Sequence, residues 1–169
     1  MVRLAFRREN LDETLVRPTY QNRLRAIGSH LDKEQYRDAT VIEAKGGFIV
    51  RATIADDPLP QVVEFPNSEV EGLAHEAFGR RGEYQNYKPH SSIVPTGYQD
   101  LFRALGHLMD NRSAVGITIL ELESHVLIAG RELARFVAGK QTYRQFEHFL
   151  SAEDVQTLLD DAFRQRTRS

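Results

Sequence analysis

The sequence predicts an α+β protein: a tandem duplication of an α-β-β-β-α unit with antiparallel sheets, packed as one pseudo-twofold-symmetric protein. The segment from Tyr20 to Ala52 returns 78 residues later as the segment from Tyr98 to Gly130, with eight of 33 aligned positions identical. Ordinary residue usage gives about two identities over this length. In each copy a helical apolar period precedes shorter apolar runs that are typical of strands. Self-similarity at a fixed spacing therefore sets the predicted architecture.

The first element of each unit is predicted to be a helix that begins near a threonine. In the first copy Tyr20, Leu24, Ile27 and Leu31 recur at steps of four, three and four, which places them on one helix face. The second copy repeats these steps with Tyr98, Phe102, Leu105 and Met109. Thr19 and Thr96 are the expected N-caps, and Thr96 has the spacing of a capping box with Gln99.

Three strands and a second helix are predicted to follow in each unit. Residues 40–44 and 48–54 flank Gly46-Gly47, a pair suited to a tight hairpin turn, and residues 117–123 and 126–130 match them. Third strands are expected at 61–65 and 144–149, and the longer connection at 131–142 has room for a short helix. The closing helices are expected to begin at the Ser68–Glu71 and Ser151–Asp154 capping boxes.

The repeat also predicts the division of the chain. Alternating Val2, Leu4 and Phe6 suggest a possible edge strand in the N-terminal arm. The predicted segments are the arm at 1–17, the first unit at 18–81, an inter-repeat linker at 82–94, the second unit at 95–165 and a basic tail at 166–169.

A polar stripe shared by the two leading helices predicts the packing between the repeats. A glycine in a helix interior costs up to about 1 kcal/mol relative to alanine, so its recurrence suggests close approach of another backbone. We expect the helices to cross near Gly28 and Gly106, with Arg25 meeting Asp110 and Arg103 meeting Asp32. The alternative is a pair of solvated faces without mutual contact.

Composition limits the classes of function. The chain has no cysteine, a net charge of −2 and basic residues spread along its length. Disulfides and thiolate metal sites are thereby excluded, and no overall positive field favours nucleic acid. No signal peptide or apolar stretch of about 18 residues is seen, so we expect a soluble, cytoplasmic protein.

Motifs for catalysis are missing from the sequence. It contains no Gly-rich phosphate loop, HExxH, GxSxG or EF-hand pattern, and its six histidines have no ligand spacing. Glu43 and Glu121 occupy matching positions in the repeat, but strand alternation favours solvated, outward side chains over an acid/base pair. We therefore predict no catalytic residue, no metal and no cofactor.

The segment at 79–97 is the predicted binding surface, because it mixes cations with aromatic side chains. Such a composition suits base stacking with phosphate contacts, or a protein partner. The alternative is a linker whose tyrosines fold back on the sheet. The candidate residues are Arg80, Arg81, Tyr84, Tyr87, Lys88 and His90.

The α-β-β-β-α order is similar to that of double-stranded RNA-binding domains. That family uses a basic start to its last helix to contact phosphates. Here the corresponding positions carry Glu69, Glu71, Glu153 and Asp154, which would repel phosphate. We therefore assign no family on this order.

The leading functional hypothesis is a non-catalytic protein-binding or assembly module, with a protein partner or a homo-oligomer. The alternative is a nucleic-acid-binding protein that uses the segment at 79–97. A third class, an enzyme with a site at the seam between the repeats, stays open because duplicated folds form a cleft where their copies meet. No membrane partner is expected.

Overall fold

The computed structural model describes residues 19–54, 57–70, 72–73 and 97–168. Within these ranges the chain forms four helices and one six-stranded antiparallel sheet, which confirms the α+β class. The elements in chain order are α1 (Tyr20–Lys33), β1 (Tyr36–Ala44), β2 (Gly47–Ile54), β3 (Asp57–Pro66), α2 (helical at 67–70 and 72–73), α3 (Tyr98–Asn111), β4 (Val115–Glu121), β5 (His125–Val137), β6 (Lys140–Ser151) and α4 (Ala152–Arg168).

The sheet joins the two halves of the chain through its central strands. Its strand order is β3-β2-β1-β4-β5-β6, so each half contributes three consecutive antiparallel strands. The halves meet where residues 40–42 of β1 pair with residues 118–120 of β4. One continuous sheet therefore spans the seam, and among the described strands β3 and β6 form its two edges.

The hydrophobic core lies on one face of this sheet, which we call the inner face. Strand alternation directs Val41, Phe48, Ile119 and Ile128 toward this face, and all four are buried. Buried residues of α1 and α3 complete the core, and Val70 and Val155 add contributions from α2 and α4. The described helices therefore cover the inner face, and none of them packs on the opposite, outer face.

The segment at 131–142 differs from the expected connection with a short helix. It belongs to a long β5–β6 hairpin, whose register continues from His125 opposite Ser151 to Val137 opposite Lys140. Ala138 and Gly139 turn the chain with φ of 50° and 76°. Residues 131–136 include good helix formers, but they adopt strand conformation because pairing with β6 outweighs their weak helix propensity.

Three of the predicted N-caps can be compared with the structure. Thr19 Oγ1 accepts a hydrogen bond from Asn22 N (3.2 Å), which confirms the N-cap of α1. Asp154 N donates to Ser151 Oγ (3.2 Å) and Ser151 N donates to Asp154 Oδ2 (3.0 Å), which confirms that capping box. The prediction for Thr96 was wrong, because α3 begins at Tyr98 with Gly97 as its N-cap and no side-chain cap of its own.

Several predicted segments lie outside the described residues. These are the arm at 1–17, the linker at 82–94, and the partner Glu71 of the first closing box. The last helix continues to Arg168 and so includes most of the predicted basic tail at 166–169. Among the described helices, none has the length and apolar character that a membrane span requires.

Candidate functional site

The two leading helices, α1 and α3, pack against each other along glycine positions. A Cβ on Gly28 would lie 2.5 Å from the Tyr98 carbonyl oxygen, and a Cβ on Gly106 would lie 2.6 Å from Gln21 Cα. Each glycine thus admits the first turn of the antiparallel partner helix. The two glycines do not face each other as the sequence suggested: they lie about two helical turns apart along the pair.

Aspartates near the ends of α1 and α3 cap the partner helix reciprocally. Asp110 accepts hydrogen bonds from Tyr20 N (2.9 Å) and Gln21 N (3.0 Å). Asp32 accepts them from Tyr98 N (2.8 Å) and Gln99 N (3.0 Å). Carboxylates satisfy helix N-terminal amides well, because those amides are unpaired within the helix and lie at the positive end of its dipole.

The predicted ion pairs of this region involve two arginines. Arg25 is buried on α1, with 3% of its surface exposed, and Arg103 is partly buried on α3. Their pairing with Asp110 and Asp32 stays a prediction. The bonds from both carboxylates to backbone amides are a different contact, which the repeat pattern alone did not reveal.

Glu43 and Glu121 connect the helices to the central strands. Glu43 Oε1 accepts from Tyr20 Oη (2.6 Å) and from Ile117 N (3.1 Å). Glu121 Oε2 accepts from Tyr98 Oη and from Ala39 N (2.9 Å). Each glutamate therefore binds a tyrosine of its own half and a backbone amide of the other half.

The expectation that these glutamates are solvated on the outer face was wrong. Glu43 follows Val41 by two residues and so shares its inner face, where the tyrosine and the amide offset the cost of partial burial. Burial, followed by the hydrogen bond to Glu43, raises the pKa of Tyr20 well above its usual value. The phenol is thus a donor that holds the carboxylate in place.

The two glutamates at the seam are both engaged in hydrogen bonds. The described residues contain no group of three His, Asp or Glu side chains that could hold a metal ion. A cavity of about 270 Å³ lies elsewhere, at the β1–β2 turn around Lys45, Phe48 and Glu64. The described hydrogen bonds at the seam join the two halves of the chain.

The outer face of the sheet carries an apolar band, which we define as Ile42, Ile49, Leu120, Leu127 and Phe149. Ile42 lies opposite Ile49, and Leu127 lies opposite both Leu120 and Phe149. Ile42 is 46% exposed and Phe149 59% exposed, while the other three are partly exposed. The band thus runs across five strands on the face that the described helices leave open.

The sequence contains a signal for this band that is separate from the repeat. The runs around Val41-Ile42 and Phe48-Ile49-Val50 are apolar at consecutive positions rather than at alternate ones. Continuous apolar strands are typical of sheets with two covered faces. The binding surface that the sequence did predict, Arg80 to His90, lies outside the described residues.

Comparisons with protein-family models, with curated proteins and with solved structures gave no match for this chain. Functional inference therefore depends on its own residues.

Proposed function

We propose that the chain is a tandem duplication that forms a pseudo-twofold unit, and that this unit is a non-catalytic assembly module. Irregularities of the backbone support the duplication. The β1–β2 register shifts between Arg37 and Thr40, and the β4–β5 register shifts at the positions 78 residues later. Positive φ at Gln35 and Asp38 likewise recurs at Ser113 and Gly116. Bulges are specific local features, so their coincidence favours common descent over chance.

The observation that carries the assembly function is the apolar band on the outer face, which the described helices leave uncovered. Contiguous exposed apolar surface is uncommon on monomers and usually marks an interaction site. Charged side chains of Arg51, Glu64 and Glu147 surround the band on neighbouring outer positions. An apolar centre with a polar rim is the usual anatomy of a protein–protein interface.

The occupant that we propose is a second copy of the chain, packed face to face as a β-sandwich. Six strands at about 4.8 Å spacing and about seven residues of length give a face of about 700 Å². Stable interfaces bury about 600–1,000 Å² of accessible surface per partner, so this face is of adequate size. Aligned packing of two twisted sheets would bring the two bands together.

Analytical ultracentrifugation of the full chain tests this proposal. The wild type is expected to be a dimer at about 100 µM, and the Ile42→Thr/Phe149→Thr double variant a monomer, because both anchors lose their apolar surface. Threonine suits strands, so the fold should persist, with unchanged circular dichroism as the check.

Leu59→Thr is the matched control, because Leu59 is 71% exposed but lies outside the band. It should leave the dimer intact. A wild type that stays monomeric, or a double variant that dimerises as well as the wild type, would contradict the proposal.

A further inference from the structure

The two edge strands differ in how well they are protected against further pairing. β3 carries Pro58, Pro60 and Pro66 among its ten residues, whereas β6 has no proline among its twelve. Proline lacks the N–H that a neighbouring strand needs, so it protects an edge from strand addition. Among the described strands, β6 is the edge that lacks this protection.

Strand geometry shows which groups of β6 face outward. The hydrogen bond from Leu122 N to His125 O (2.8 Å) directs the peptide groups of odd-numbered β5 residues toward β4. Even-numbered β5 residues therefore bond to β6, where Ile128 lies opposite His148. The even-numbered β6 residues therefore bond to β5, and the odd-numbered ones face away from it. The N–H and C=O groups of Gln145 and Glu147 thus point to the free edge.

The β5–β6 hairpin extends beyond the rest of the sheet, because pairing with β4 ends at Arg131. This extension and Arg131 beside it carry four cations, Arg131, Arg135, Lys140 and Arg144, and one carboxylate, Glu132. Their local excess of three positive charges contrasts with the net charge of −2 for the whole chain.

Glu132, the carboxylate included in this count, is shared between two cations. Arg144 Nε lies 2.9 Å from Glu132 Oε1, and Arg112 Nη1 lies 3.1 Å from Glu132 Oε2. Arg112, at the end of α3, adds a fifth cation to the group. The side chain of Arg144 is 72% exposed, so much of its surface faces solvent.

We propose that the free edge of β6 binds an acidic, extended peptide segment by strand addition. The outward peptide groups of Gln145 and Glu147 supply the backbone hydrogen bonds, and Lys140 and Arg144 on the same strand attract the carboxylates. This inference is independent of the proposed dimer, because the edge groups lie in the plane of the sheet and the apolar band lies above it.

Single-stranded nucleic acid fits this surface less well. Tyr143 and Phe149 are the exposed aromatic residues of β6, and they lie six residues apart. At about 3.3 Å per residue this is about 20 Å, too far for neighbouring bases to stack on both. The edge itself offers backbone donors and acceptors, which another backbone complements best.

Fluorescence polarisation with synthetic peptides tests the inference on the full chain. The probe is a labelled eight-residue peptide of alternating glutamate and valine, compared with a lysine–valine peptide of the same length. We expect a Kd below about 1 mM for the acidic peptide and at least about tenfold weaker binding of the basic one. N-methylation of the four central residues should abolish binding, because it removes backbone donors without changing the charge.

Two variants locate the site. Gln145→Pro removes an outward donor and places a ring in the path of the incoming strand, so binding should fall at least about tenfold. Gln145→Ala keeps the donor and should bind as the wild type does. Lys140→Gln/Arg144→Gln should weaken binding about five- to tenfold, whereas Arg37→Gln, an exposed cation on β1, should not.

Circular dichroism and urea denaturation show whether Gln145→Pro is folded. Absence of acidic-peptide binding below about 1 mM, or equal binding of the N-methylated peptide, would overturn the proposal. Tighter binding of an eight-nucleotide oligothymidylate that Gln145→Pro leaves unchanged would also overturn it, in favour of nucleic acid.

Discussion

Removal of the Asp32 carboxylate should destabilise the protein more than almost any other polar substitution. Asp32 is 4% exposed and accepts two hydrogen bonds, from Tyr98 N and Gln99 N, at 2.8 and 3.0 Å. Hydrogen bonds to a charged group contribute about 1.5–3 kcal/mol each, and Asp32→Ala leaves both amides unpaired at the start of α3. We therefore expect the free energy of unfolding to fall by about 3–5 kcal/mol.

Urea denaturation followed by circular dichroism measures this loss, with an unchanged slope as the sign that the unfolded state is the same. Asp110→Ala removes the same kind of cap, but Asp110 is only partly buried, so water can replace it and a smaller loss of about 2 kcal/mol is expected. Asp161→Ala, at an exposed position of α4, is the control and should cost less than about 0.5 kcal/mol. A loss below about 1 kcal/mol for Asp32→Ala would refute the reasoning that the cap stabilises the seam.

Gly106→Ala should lower the free energy of unfolding by about 2–3 kcal/mol, because overpacking against the backbone of Gln21 outweighs the better helix propensity of alanine. Gly72→Ala, whose Cβ would meet nothing within 4 Å, should be neutral or stabilising in the same urea titration; equal stability of the two variants would contradict the close contact. Glu132 supplies a pH dependence, because its hydrogen bond with Arg144 is the main cause of the lowering of its pKa. Its stabilising effect is present above the ordinary glutamate pKa of about 4.3 and is lost as the pH falls through the lowered pKa. The stability difference between wild type and Glu132→Gln should therefore shrink as the pH is lowered to about 3, and a constant difference would exclude this linkage.

Local sequence patterns were sufficient to predict the helices that bury an apolar stripe. The sequence predicted α1 and α3 from apolar residues at steps of four and three, and it predicted the capping box at Ser151. Both predictions were possible because helix periodicity and caps depend on neighbours in sequence. The length of the β5–β6 hairpin could not be predicted from the sequence, because residues 131–136 acquire strand geometry only through pairing with β6.

The candidate site was harder to predict because it depends on contacts across the seam. Glu43 was assigned to the outer face, and its partner Ile117 N belongs to a strand 74 residues away in sequence. Asp32 accepts hydrogen bonds at the start of α3, 66 residues from its own position, and this contact was not part of the expected pairing with an arginine. A repeat identifies equivalent residues, but it does not specify whether they meet a side chain or a backbone amide.

Under the proposed duplication, features that recur in both halves and features found in only one half call for different explanations. The glycines, the aspartate caps and the tyrosine–glutamate pairs recur in both halves and all lie where the halves contact each other, so packing is sufficient to account for them. The edge strands break the equivalence: β3 is protected by prolines, whereas β6 is longer, free of proline and beside a group of cations. Packing does not require this difference, because both edges lie far from the seam in the strand order. A binding function that distinguishes the two halves is therefore expected at β6.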